Sequence, residues 1–217
     1  MSNGFSPQFG QLVAGYHRFR ESGWEPHRKR WEELRDGQQP EVMIIACSDS
    51  RVDPTQIFDV SPGEVFVVRN VAALVPPFET TPGRHGVSAA LEFAVQVIGV
   101  KEIVVMGHGR CGGCKVALTG ELYGSKRGDG GFIAEWIGLL DEARKPVVEA
   151  HGTVGRPAEQ EMEQAAVKVS LQNLRTFSCI REKEKAGTLR LTGAIFAISD
   201  GVLHVYDEAQ DRFAALD

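Results

Sequence analysis

With 217 residues, 42% hydrophobic and 24% charged, the chain has the make-up of one globular domain whose core needs no disulfide staples. A formal charge of −5 argues against nucleic acid as a partner, and the basic residues of HRKRWEELRD interleave with acids as on a solvated face. The longest apolar run, VSAALEFAVQVIGV, carries Glu92 and Gln96 and is too short for a bilayer, so no membrane partner is expected.

The first residues, MSNGFSPQFGQL, lack the basic start and apolar centre of a secretory signal, and a cytoplasmic location is expected. Phe9, Leu12, Val13, Tyr16 and Phe19 then fall on one stripe of a helix over Pro7–Phe19. A second helix is expected over Glu25–Arg35. Together they form a helical arm over residues 1–36, ahead of a single α/β domain over residues 37–217. VMIIAC (Val42–Cys47) reads as the first strand and VFVVRN (Val65–Asn70) as the second. VSAALEFAVQVIG, almost wholly apolar, reads as a buried helix. EIVVMGH (Glu102–His108) is the third strand, followed by a glycine-rich turn and a helix. PVVEAHGTVGRPAE reads as a loop, and helical spacing resumes through Met162, Ala166, Val169, Phe177 and Ile180. GAIFAIS (Gly193–Ser199) is a fourth strand, with Asp200-Gly201 turning the chain into VLHVY. Strand–helix crossovers ending in a hairpin predict an α/β fold: a mostly parallel central sheet covered by helices, with an antiparallel edge strand.

In such sheets sites form beyond the carboxyl ends of the strands. Cys47 and His108 end two of the predicted strands, and Cys111 follows His108 by three residues in GHGRCGGC. If a helix has begun there, His108 and Cys111 share a face, and Cys47 completes a Cys₂His set. Three protein ligands leave one tetrahedral position open, as at a catalytic zinc, and thiolates with imidazole suit Zn²⁺ over magnesium or calcium. Each motif alone is weak. A cysteine at a strand end is commonly a buried small hydrophobe, Cys111-Gly-Gly-Cys114 has redox spacing in an unusual place, and a zinc ribbon would need a second close pair.

Taken together, CSDSR, PGEVFVVRNVAALVPPF and GHGRCGGC closely resemble the β-class carbonic anhydrases over roughly Gly37 to Leu122. The resemblance implies Cys47, His108 and Cys111 as ligands of one zinc per subunit, and Asp49 with Arg51 as the catalytic acid–guanidinium pair. A bidentate arginine keeps such a carboxylate ionised and aimed. It further implies that Gln38 donates to a substrate oxygen and that Phe66, Val71 and Phe93 wall an apolar pocket. The Gly112 N–H, at a helix start, is a further candidate donor. Phe93 departs from the tyrosine of several plant-type relatives, so a hydroxyl is missing there. Cys114 is expected to be a bystander, Cys179 a core residue and His85 a candidate proton shuttle. The implied reaction is zinc-dependent, reversible hydration of carbon dioxide to bicarbonate and a proton through zinc-bound hydroxide, in a homodimer or larger homo-oligomer. The alternatives are hydrolysis of carbon disulfide or carbonyl sulfide on the same fold, and a non-catalytic zinc-binding homologue. Ile44 stands where the subgroup with a closable site carries tryptophan, and Gln38 also matches the open subgroup. The open, plant-type site is therefore expected, with a non-cooperative pH profile.

Overall fold

The computed structural model describes residues 4–216. The chain forms two units, one ending at Gln38 and one beginning at Gln39. In the first, helix α1 (Pro7–Phe19) starts where the Ser6 side chain accepts from the Phe9 N–H, and it runs into a π-helical turn over Arg20–Trp24. Helix α2 (Arg28–Leu34) is shorter at both ends than the expected Glu25–Arg35, because residues 25–27 form turns. None of these helices has a buried residue, and Phe9, Leu12, Tyr16 and Phe19 are exposed.

The second unit is built on strands β1 (Val42–Cys47), β2 (Val65–Asn70), β3 (Glu102–His108), β4 (Arg190–Ala197), β5 (Val202–Asp207) and β6 (Arg212–Ala215). Their order is β2-β1-β3-β4-β5-β6, parallel through β4 and antiparallel from there to the edge. The first three strands match the expected bounds. The fourth begins three residues before Gly193 and stops at Ala197, because Ile198–Gly201 make the turn into β5, with Gly201 at φ +75°. The short strand β6 was not anticipated; it continues the antiparallel edge beside β5.

Alternation along β1 divides the core. Met43 and Ile45, with Ile103 and Val105 of β3, face one side; Ile44, Ala46 and Met106 face the other. The first side is covered by helices α4 (Gly86–Glu92), α8 (Arg156–Leu174) and α9 (Ser178–Lys185), through Leu91, Val167, Leu171 and Ile180. The second meets Ile57 of helix α3 (Pro54–Ile57) and Phe58. The expected long apolar helix is α4 followed by a π-helical stretch over Phe93–Ile98. Gly107 lets β3 approach α8: a Cβ there would lie 2.8 Å from Val167 Cγ2.

A separate cluster lies at the carboxyl end of the sheet. It joins Cys47 and Cys111 to α5 (Gly112–Thr119), α6 (Gly131–Ile137), α7 (Asp141–His151) and α8 through Leu118, Ile137, Val147 and Met162. The expected loop at PVVEAHGTVGRPAE is here corrected. Helix α7 runs through Pro146 to His151, and only residues 152–155 remain irregular. Pro146, the sixth residue of α7, has no N–H to offer the carbonyl one turn earlier, yet the helix continues past it. No helix among the described residues is long and apolar enough to cross a membrane.

Candidate metal centre

Parallel pairing of β1 with β3 sets Ala46 opposite Met106, so the chain ends of the two strands emerge side by side. Cys47 closes β1 and His108 closes β3. The helix expected to carry both His108 and Cys111 begins only at Gly112, with Cys111 as its N-cap. Their convergence comes instead from a turn over Gly109 and Arg110, in which Arg110 takes the left-handed conformation at φ +56°. Gly113 lets this helix start sit against the preceding loop: a Cβ on it would lie 2.7 Å from Val71 Cγ1.

The result is a buried Cys47–His108–Cys111 group whose potential ligand atoms all lie within 4.8 Å of one another. The two sulfurs are 4.0 Å apart. That is far too long for a disulfide and close to the edge of about 3.8 Å that two thiolates at about 2.3 Å from a tetrahedral zinc would span. His108 Nδ1 lies 2.9 Å from the Gly109 carbonyl, which can only accept, so Nδ1 carries the proton. In a neutral ring that leaves Nε2 with a free lone pair, and Nε2 is buried with no hydrogen-bond partner. A hydrogen bond with Cys111 and burial push the Cys47 thiol up to about 12, and a hydrogen bond with Cys114 leads the causes that push Cys111 to about 12. Thiols so reluctant to ionise become thiolates only beside a cation. An orphaned imidazole nitrogen and two such sulfurs fit a zinc ion.

Beside the group, Arg51 grips Asp49 with two parallel bonds, Nε to Oδ1 at 2.9 Å and Nη2 to Oδ2 at 2.6 Å. The Arg51 N–H adds a third bond to Oδ1 at 3.0 Å. These bonds from Arg51 hold the Asp49 carboxyl well below the usual carboxylate range. Its Oδ2 lies 3.9 Å from His108 Nε2, so the acid borders the space that a ligand to the metal would enter. Arg69 ties the whole turn down. It donates to the Cys47 carbonyl at 3.0 Å, to the Asp49 carbonyl at 2.7 Å and to Asp53 Oδ2 at 3.0 Å.

The other expected site residues divide. Gly112 opens α5, where first-turn N–H groups have no partner within the helix. Val71, part-exposed, follows β2 and lies against Gly113. Phe66 and Phe93 stand elsewhere in the chain. Phe66 pairs with Met43, four residues before the level of Cys47, or about 13 Å along the strand. It packs on Phe93, ring centroids 5.9 Å apart. Within one chain these two rings do not wall the metal group. Gln38 is exposed at the end of the first unit. Cys114 is buried beside Cys111 outside the three-ligand group, Cys179 is half-buried against the core, and His85 pairs with Glu79 at 3.1 Å.

Residues 42–203 match the family profile described as "Carbonic anhydrase". A carbonic anhydrase of Synechocystis sp. is 32% identical over 95% of this chain and 77% of its own length. The chloroplastic beta carbonic anhydrase 5 of Arabidopsis thaliana is 35% identical over 79% of this chain, which spans 56% of that relative. Among solved structures, the β-carbonic anhydrase CcaA superposes with a TM-score of 0.89 at 30% identity, covering 98% of this chain and 93% of its own. One of two tetrameric β-carbonic anhydrases from Sordaria macrospora gives 0.79 at 27% identity, covering 92% and 97%.

Replacement of Cys47 or Cys111 by serine is expected to abolish most zinc binding, whereas Cys114→Ser retains it. Metal content of the purified variants checks this, and full zinc in Cys111→Ser would dismiss the ligand set.

Proposed function

Because this chain belongs to the β-class carbonic anhydrases, we propose that Cys47, His108 and Cys111 hold its zinc and that Asp49 and Arg51 are its catalytic pair. The reaction is the reversible hydration of carbon dioxide to bicarbonate and a proton, with zinc as cofactor. One observation carries the residue assignment: the unpartnered His108 Nε2 faces two cysteine sulfurs and lies 3.9 Å from an arginine-clamped carboxylate. Zinc held there is a Lewis acid that makes a hydroxide nucleophile available near neutral pH.

The chain's own groups supply orientation. Asp49, kept as a carboxylate by Arg51, can only accept hydrogen bonds. It takes the hydrogen of the nucleophile and so turns the nucleophile's lone pair toward the carbon. Because Arg51 occupies both carboxylate oxygens, Asp49 is held in one orientation and does not swing toward the metal. The Gly112 N–H donates to the oxygen on which negative charge grows, a part that the family resemblance also gives to Gln38. Val71 offers an apolar wall to an uncharged substrate.

Phe66 and Phe93 take their part in the pocket from a second copy of the chain, since Phe66 lies about 13 Å along the sheet from the level of Cys47 and Phe93 packs on it. This makes the homodimer the minimal active unit, with the arm over residues 1–36 laying Phe9, Leu12, Tyr16 and Phe19 on the partner. The exposure of those side chains supports it. Four free cysteines fit the reducing cytoplasm, where we place the protein.

Stopped-flow hydration with parallel zinc analysis tests the reading. Asp49→Asn is expected to keep its zinc and lose about 100-fold or more in turnover; an unchanged rate would leave Asp49 a loop staple. The depressed pKa of Asp49 means that its pairing with Arg51 is complete above the ordinary carboxylate range and is lost only as pH falls through the depressed value. The rate should therefore follow a single ionisation from about pH 6 to 9, and a cooperative profile would contradict the open site. Light scattering at micromolar concentration should find a dimer or larger, and a fully active monomer would refute the shared pocket.

A further inference from the structure

The Arg110 backbone links two of the proposed zinc ligands, following His108 by two residues and preceding Cys111. It is gripped from both sides. Its carbonyl accepts from Arg51 Nη2 at 3.2 Å, on the side of the catalytic pair. Its N–H donates to Glu163 Oε1 at 2.7 Å, on the side of α8. Glu163 is only 3% exposed and stands on the helix face that also buries Met162, Ala166 and Val167. Its carboxylate is matched by Arg156, which donates Nη1 to Oε1 and Nη2 to Oε2, both at 2.8 Å.

A buried ion pair is a weak source of stability, because desolvation offsets most of the attraction. A pair that spends one acceptor on a single backbone N–H does something more specific. That N–H belongs to a non-glycine residue at φ +56°, a conformation that needs support from its surroundings. The neighbouring groups of the turn are held as well: the Gly109 N–H donates to the Phe196 carbonyl at 2.9 Å, and the Arg110 carbonyl accepts from Arg51.

We propose that Glu163, fixed by Arg156, is a positioning residue for the metal centre: it locks the Arg110 peptide so that His108 and Cys111 converge on one ion. Because Arg51 holds the carbonyl of the same residue, Glu163 also sets the distance between the ligand turn and Asp49. The inference rests on the ligand set proposed above, which the zinc content of the parent protein tests separately.

The test compares Glu163→Leu, which removes the acceptor, with Glu163→Gln, which keeps an acceptor oxygen and discards the charge that holds Arg156. Zinc release to a chromogenic chelator should be about tenfold faster or more in the leucine variant, the range for loss of a partner that orients metal ligands. The glutamine variant should lie between it and the parent. In cobalt-substituted protein the thiolate-to-metal absorption bands should shift in the same order, and turnover should fall with KM within about twofold of the parent's, as for a group that positions the catalytic centre. If the leucine variant fails to fold, release from the glutamine variant alone decides, with about threefold acceleration or more expected from the same loss of support. Release rates and cobalt bands equal to the parent's, with only the unfolding temperature lowered, would overturn the proposal and leave Glu163 a staple of the fold.

Discussion

A metal ion with three protein ligands tolerates little error in where those ligands sit, and here they arrive from two strands and one helix cap. The constraint is met by register. In the parallel β1–β3 pair, Ala46 lies opposite Met106, so Cys47 and His108 leave the sheet on adjacent strands about 4.8 Å apart. A shift of one residue in either strand would send Cys47 or His108 to the opposite face. Register is in turn held by the buried alternation of Met43, Ile45, Ile103 and Val105 against α4 and α8, and by Gly107, which lets α8 come within reach of β3. The metal centre is thus a consequence of core packing several residues away from it.

Electrostatics then operates on the backbone as much as on side chains. Arg69 spends its guanidinium on two carbonyls of the Cys47–Asp49 turn and on Asp53, while Arg51 spends its own on Asp49 and the Arg110 carbonyl. Two fixed cations therefore hold three carbonyls and balance two carboxylates, Asp49 and Asp53, beside the two cysteine sulfurs. Lysine could not do this, since one ammonium cannot address several acceptors held in a plane.

Much of this was legible because the signals were local. Strand ends read from apolar runs put Cys47 and His108 at one edge of the sheet, and spacing within CSDSR placed Asp49 and Arg51 within reach of each other. What escaped was set by distant partners. Pro146 signals a break, yet it stands inside α7, which continues past it and buries Val147. Strand β6 is only four residues long, and its pairing with β5 decides its state more than its composition does. In the turn that replaces the expected helix at His108–Cys111, Arg110 is left-handed and its N–H is bonded to Glu163, 53 residues away. A signal for Glu163 did exist, since an acid within the apolar stripe of Met162, Ala166 and Val167 must have a buried partner.

The distance of Phe66 and Phe93 from the metal group within one chain has a different origin. Resemblance assigns a residue to a pocket without saying which copy of the chain provides it. Strand register supplies that missing information: at about 3.3 Å per residue, four residues separate Phe66 from the level of Cys47 by more than any side chain can reach back. The sheet also divides its labour along its length. The carboxyl end carries metal ligands and charge clamps within its own apolar cluster, and the other end carries the paired rings and the main core. The proposed pocket, drawn from both ends, would take two chains, a carboxyl end of one set against the opposite end of the other. On that proposal the stability of the single chain and the completeness of its pocket become separable properties.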